Sequence, residues 1–245
     1  LPSRQPQSFF TVAAITTGTD TRINPAVLPR LLQLCSPALP VGAYAYSQGL
    51  ECAVERGWVR DAAGAGDWIL GLLGHSVQRL DIPVFARLYR AWRDGDSDAV
   101  RRWNARLYAS REAAELQRED AHLGAALARL LADLGLDEAG PWRSAPRVCF
   151  ATLFGLAAAR WDIPLPEAAT GYAWAWTENQ VTAATRLIPL GQTASQRLLV
   201  AAGPAIAEAV AHGLILPDGD IGAAAPGLAL AGALHETQYS RLFRS

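Results

Sequence analysis

Apolar residues recur every three or four positions along most of this chain, the spacing of helices that bury one face. The pattern begins at Asn24-Pro25, a capping residue followed by a first-turn proline, and the helix it opens stops near Cys35, ahead of Pro37 and Pro40. A second helix is expected from about Ser47 to Arg56, ended by Gly57, and Asp61 caps a third whose buried stripe is Ile69, Leu73, Val77 and Leu80. Asp81-Ile82-Pro83 breaks that helix and starts another, through Phe85, Leu88 and Trp92 to Gly95. From Asp96 a long segment reaches about Gly135, its second half carrying Leu123, Leu127, Leu130, Leu131 and Leu134 opposite a mixed-charge face. After Gly140, Pro141 and Pro146 comes a helix of Val148, Phe150, Leu153, Phe154 and Leu156, apolar on most sides and therefore central. A second Asp-Ile-Pro, at Asp162, joins it to a helix from about Pro166, and the recurrence hints at two similar halves. Further helices cover about Thr193 to His212 and about Ala224 to Glu236. No run alternates with period two in the manner of a strand. The expected fold is all-α, a single-domain bundle of about ten helices over residues 25–245 with a C-terminal docking tail from about 237. Residues 1–24, rich in Ser, Thr, Pro and Gln, are expected to be a flexible arm.

Composition adds a surface requirement. Charged residues are 18% of the chain where typical domains carry about 25%, so part of the surface must be apolar, and a homodimer would cover it. The 22 basic residues, all Arg, are balanced by 23 acidic ones, which removes the basic excess that nucleic-acid binding needs. Cys35, Cys52 and Cys149 are widely spaced, with no CxxC, so neither a disulfide framework nor a zinc site is expected, and a reducing cytoplasm fits best. The longest uncharged run, Leu31 to Leu50, contains Pro37, Pro40, Gly42 and Gly49, too many breakers for a lipid-exposed helix. No membrane span and no signal peptide are expected.

The search for chemistry returns little. His75, His122, His212 and His235 have no second ligand at i+3 or i+4, and there is no HExxH, P-loop, GxGxxG or GxSxG. No catalytic residue, metal or cofactor is therefore expected. Glu112, Glu115, Glu119 and Asp120, interleaved with Arg111 and Arg118, suggest a solvated, ion-paired helix face.

Three segments place polar and aromatic residues where a plain bundle would not. Ser36 to Glu51 reads SPALPVGAYAYSQGLE, in which Tyr44, Tyr46, Gln48 and Glu51 are either core lids or a preorganised surface. Glu178 to Thr193 reads ENQVTAATRLIPLGQT, and Glu178, Asn179 and Gln180 interrupt an apolar run where each must find a partner. The last segment ends in HETQYSRLFRS, with Tyr239, Leu242 and Phe243 at i, i+3, i+4 beside Arg241 and Arg244; it shows no obvious intramolecular partner and is expected to dock on another protein.

Together with SREAAELQRED at Ser110 to Asp120, these ordered segments resemble the UreF family of urease accessory proteins, from about Leu31 to Ser245. The resemblance implies an all-helical, non-catalytic homodimer that binds UreD (also called UreH) and recruits the nickel-carrying GTPase UreG to apo-urease (UreABC). On that basis Tyr44, Tyr46, Gln48, Glu51, Glu178, Asn179, Gln180, Arg186 and Gln192 are expected on the UreG side. His235, Glu236, Gln238, Tyr239, Arg241, Leu242, Phe243 and Arg244 are expected on the UreD side. Arg186 stands where the family commonly has Lys, so a planar fork replaces a point charge. A rival reading has Arg186, Arg241 or Arg244 enter UreG's active site and speed GTP hydrolysis. Nickel would at most pass through, along groups such as Glu178, Asn179 and Gln180.

Overall fold

The computed structural model describes residues 24–223 and 225–245, so the expected N-terminal arm lies outside the described residues except for Asn24. Among them the chain is all-helical, without strands: α1 (Leu28–Cys35), α2 (Leu50–Glu55), α3 (Ala62–Leu72), α4 (Ile82–Asp94), α5 (Ser97–Ala109), α6 (Ala114–Asp133), α7 (Phe150–Arg160), α8 (Leu165–Leu187), α9 (Gln192–Ile215) and α10 (Pro226–His235). The ends follow local chemistry. Asp61 accepts the Gly64 N–H at the start of α3, Asp96 accepts that of Ala99 at the start of α5, and Gly95 takes the left-handed conformation that ends α4.

α7 is the axis of the bundle. It packs against α4, α6 and α8, and every residue from Ala151 to Ala159 is buried. Its Phe154 meets Phe85 of α4 and Tyr172 of α8 edge-on, while Phe85 and Tyr172 stack with centroids 5.3 Å apart. α6 crosses the start of α7 so closely that a methyl group at Gly124 would run into the Val148 carbonyl. α9 lies along α8 and against α4. It is long and apolar enough to cross a bilayer on length and composition, which the sequence pattern did not suggest; in the bundle only 28% of the 18-residue stretch that meets this test is buried. A second, smaller apolar cluster joins Leu50 and Ala53 of α2, Ala65 of α3, Ala183 and Ala184 of α8, and Phe243.

Three expectations are corrected. The first Asp-Ile-Pro does not break its helix. Leu73–Asp81 forms a π-helical stretch that runs from α3 into α4 with right-handed helical backbone throughout. Pro83 cannot supply an N–H to the Arg79 carbonyl four residues back, and Gly222 donates to it instead, at 3.1 Å. At the second Asp-Ile-Pro the chain does turn, through Asp162 at a φ of 52°, so the two copies are not equivalent. The long segment from Asp96 is two helices, separated at Ser110 to Ala113. Finally, the acidic run is not a solvated face: Glu112 and Arg118 are exposed, but Glu115, Glu119 and Asp120 are buried.

The break before α6 is what turns Arg111 inward. Its guanidinium bridges Asp81, at 2.6 Å, and Asp120, at 3.0 Å. The same Asp120 accepts the Phe150 N–H at the start of α7, at 2.7 Å, and Tyr172 donates to Asp81. Arg111→Met keeps the volume but leaves two buried carboxylates without a counter-charge, and should cost about 3 to 5 kcal/mol of stability in urea unfolding.

Candidate functional site

The Ser36–Gly49 loop is held in one conformation by its own turns. Gly42 and Gly49 have φ of 82° and 76°, and Gln48, unusually for a side-chain-bearing residue, has φ of 53°. Gln48 is fixed on both sides: its amide donates to Glu119 at 2.7 Å, and Trp176 donates to its carbonyl at 2.6 Å. Tyr46 is buried with its hydroxyl 3.0 Å from His122 Nδ1, and Asn179 donates to its carbonyl. Burial pushes the Tyr46 phenol up, with Arg244 acting against it. Tyr44, by contrast, is 67% exposed. The two tyrosines thus divide the readings left open by the sequence: Tyr46 is a core lid and Tyr44 is surface.

The C-terminal segment is fastened to this loop, which corrects the expectation of a tail without an intramolecular partner. Beyond α10 it is not helical, so Tyr239, Leu242 and Phe243 do not share a helix face. Glu51 of α2, itself buried, accepts the N–H groups of Leu242 and Phe243 at 2.6 and 2.9 Å. Glu115 accepts from Arg241 at 2.8 Å, Glu119 accepts from the Ser245 hydroxyl at 2.8 Å, and the Arg244 N–H donates to the Ala45 carbonyl. Phe243 is buried, with Arg186 stacked over its ring at 4.8 Å and reaching the Tyr44 carbonyl. Arg241 also donates to the carbonyls of Glu236 and Gln238.

These contacts merge two residue sets that lie far apart in sequence. Glu51 and Arg186, expected on one partner's side, hold Leu242 and Phe243, expected on the other's. Glu51, Gln180 and His235 are buried, so they stand behind this surface and cannot present themselves on it. Gln180 has no hydrogen-bond partner at either amide atom. Glu236, Tyr239, Leu242 and Arg244 are exposed, and Gln238 is half-buried. Sequence reasoning missed Glu115, Glu119, Ser47 and Ser245. A signal existed: Glu119 and Asp120 sit between Leu116 and Leu123, at the three- and four-residue steps of the buried stripe, where a solvated carboxylate does not belong.

A cavity of about 150 Å³ opens beneath the loop, walled by Leu34, Val41, Phe150 and Trp176, with Asp81, Arg111, Glu119 and Asp120 at its polar end. Glu178 borders it and a second, more open groove of about 340 Å³ that includes Arg186 and Gln192. Burial pushes the Glu178 carboxyl up, and pushes the nearby Cys35 thiol up to about 12, which keeps that thiol protonated and unreactive. Among the described residues no group of three His, Cys, Asp or Glu could hold a metal ion.

The UreF family profile matches residues 59–203. The chain is 55% identical over 227 residues to the urease accessory protein UreF of Alkalilimnicola ehrlichii, covering 92% of this chain and all of that one. It is 49% identical over 232 residues to the UreF of Chromohalobacter salexigens, covering 94% of this chain and 100% of the other. With the UreF of Teredinibacter turnerae it shares 51% over 218 residues, 89% of this chain and 98% of that relative.

Glu119 makes the site's stability depend on pH. Burial raises its carboxyl from an ordinary 4.5 to about 7, against the hydrogen bonds from Gln48 and Ser245. A carboxyl raised on folding favours the folded state most when protonated, and that contribution is lost as pH rises from about 4.5 through about 7. Glu119→Gln removes this dependence. The stability of the variant relative to the parent should therefore shift in the variant's favour, by up to about 3 kcal/mol, between about pH 5 and pH 8 in denaturant titrations.

Proposed function

Because this chain belongs to the UreF family of urease accessory proteins, we propose that it works as a non-catalytic homodimeric scaffold in the cytoplasm, binding UreD (UreH) and recruiting the nickel-carrying GTPase UreG to apo-urease (UreABC). The observation that carries this reading is the joining of the two candidate surfaces. The loop, α8 and the tail are joined at several points: Gln48 and the Ser245 hydroxyl both donate to Glu119, the Arg244 N–H donates to the Ala45 carbonyl, Asn179 reaches the Tyr46 carbonyl, and Arg186 reaches the Tyr44 carbonyl while lying over Phe243, so occupancy at one part is felt at the other. Preorganisation of this kind lowers the ordering cost of binding. Tyr239 and Leu242, both exposed, supply apolar anchors, and Arg244 a charged donor, on the UreD side. Tyr44, Arg186 and Gln192 supply the UreG side.

The homodimer draws support from α9. Val200 and Ile215 are 77% and 78% exposed on a helix that is apolar for most of its length, and a second copy would cover them symmetrically. Nickel would be carried by UreG and would at most pass this chain along Glu178 and Asn179. The alternative, an arginine supplied to UreG to speed GTP hydrolysis, is narrowed by the geometry. Arg241 is held by Glu115 and two carbonyls, and Arg186 lies over Phe243, so Arg244 is the candidate that remains.

Two measurements test the reading. Light scattering at tens of micromolar should give about twice the 26.2 kDa chain mass, and Val200→Glu should return a monomer. Glu51→Ala, which removes the acceptor for the Leu242 and Phe243 N–H groups, should weaken pull-down of UreD and of UreG together, by about tenfold or more, while Tyr44→Ala weakens UreG alone. Loss of one partner only in Glu51→Ala would separate the surfaces again. Unchanged single-turnover GTP hydrolysis by UreG on adding the complex, with or without Arg244→Ala, would leave recruitment as the activity.

A further inference from the structure

The cavity beneath the Ser36–Gly49 loop carries charges that do not balance. Asp81, Glu119 and Asp120 line its polar end and Glu178 its border, so four carboxyls face it against the single guanidinium of Arg111. Asp81 and Asp120 are matched. Arg111 donates to both, Tyr172 donates to Asp81, and the Phe150 N–H donates to Asp120. Glu119, buried, has only neutral donors, Gln48 on one oxygen and the Ser245 hydroxyl on the other, and each oxygen keeps a further lone pair. Glu178, half-buried, has no hydrogen-bond or ion-pair partner among the described residues.

Away from these carboxyls the walls are apolar and aromatic, led by Leu34, Val41, Phe150 and Trp176. Such walls cannot coordinate a metal ion, and the described residues offer no group of three ligands. A volume of about 150 Å³ takes a small organic molecule of about six heavy atoms, and the mouth at Tyr44 and Thr182, both exposed, admits a longer one. The occupant that answers these features carries a positive charge at each end and methylene groups between. We propose that the cavity is a binding site for a linear aliphatic diamine in its diammonium form, the chemistry of the polyamines, with one ammonium at Glu119 and the other at Glu178.

The two ends are unequal. Glu119 lies in the low-dielectric interior, where a charge pair is worth most, and burial already raises its carboxyl to about 7, the mark of a group short of positive charge. Burial raises Glu178 as well, but its place at the border leaves a pair there partly screened by water. The inner ammonium therefore anchors the ligand, and the outer one selects for a second charge. The methylene chain adds apolar burial that a hydrated inorganic cation would not. The site requires neither UreD nor UreG, so it stands whether or not the reading of those partners does.

The test is isothermal titration calorimetry of the full chain at about pH 8, where Glu119 is mostly ionised and aliphatic amines are protonated, in about 0.15 M salt. The probes are the diamines from diaminopropane to diaminohexane, each beside the monoamine and the diol of the same chain length. One diamine should bind one to one, about fivefold tighter than its monoamine, and its diol should show no binding. Glu178→Gln should bring that diamine down to the monoamine and leave the monoamine unchanged, whereas Glu119→Gln should weaken both by about tenfold or more. Ala175→Phe, which fills the cavity from α8, should abolish both. The proposal is overturned if no diamine binds, if the monoamine or the diol binds as tightly, if any of the three variants leaves the diamine's affinity unchanged, or if Glu178→Gln weakens the monoamine as much as the diamine. Should Ala175→Phe fail to give a helical circular-dichroism spectrum, the parent and the other two variants decide by the same criteria.

Discussion

Arg111 is the point on which the two halves of the bundle are registered. Its guanidinium ties Asp81, inside the π-helical stretch, to Asp120 on α6, and Asp120 in turn caps α7 through the Phe150 N–H. One cation thereby sets the rotation of α6 relative to both α4 and α7. That rotation points Glu119, next to Asp120, and Glu115, one turn earlier, at the loop, α10 and the tail. Buried ion pairs of this kind are poor sources of net stability compared with apolar packing, but they penalise any arrangement that separates the charges. Here the arrangement they enforce is the acceptor array that holds the C-terminal segment.

The polar residues of the bundle therefore fall into two layers. The inner one, Asp81, Arg111 and Asp120, is closed, each oxygen and guanidinium nitrogen being matched within the chain or by Tyr172. The outer one, Gln48, Glu51, Glu115, Glu119 and His235, is matched only while the loop and the tail are both in place. On the scaffold role proposed above, such a layer has a use. Its hydrogen bonds couple surface segments to one another, while the apolar core around α7 remains undisturbed.

How much was legible in the sequence depended on how local the cause was. The caps at Asp61 and Asp96, the stop at Gly95 and the central position of α7 follow from residues within one or two turns, and each was readable. The buried acidic run was misread because Arg111 and Arg118 sit at ion-pairing distance along the chain, whereas the partner that matters to Asp120, beyond Arg111, is the Phe150 amide thirty residues away. The first Asp-Ile-Pro was misread because the Gly222 N–H that replaces the missing proline donor comes from the segment beyond α9, more than a hundred residues away.

What the sequence by itself determined is the helical class, the order of the helices and, through its ordered segments, membership of the UreF family. These depend on periodicity, capping and motif order, which are properties of neighbouring residues. Only the tertiary structure decided that Tyr46 and Glu51 are inside while Tyr44 is outside, and that the tail is fastened to the loop. It also placed His235 between two carboxylates from helices more than a hundred residues distant from it. The reason is physical: whether a carboxylate is solvated or buried depends on which helix is packed over it, and the spacing of residues along one helix carries no record of its neighbour's rotation.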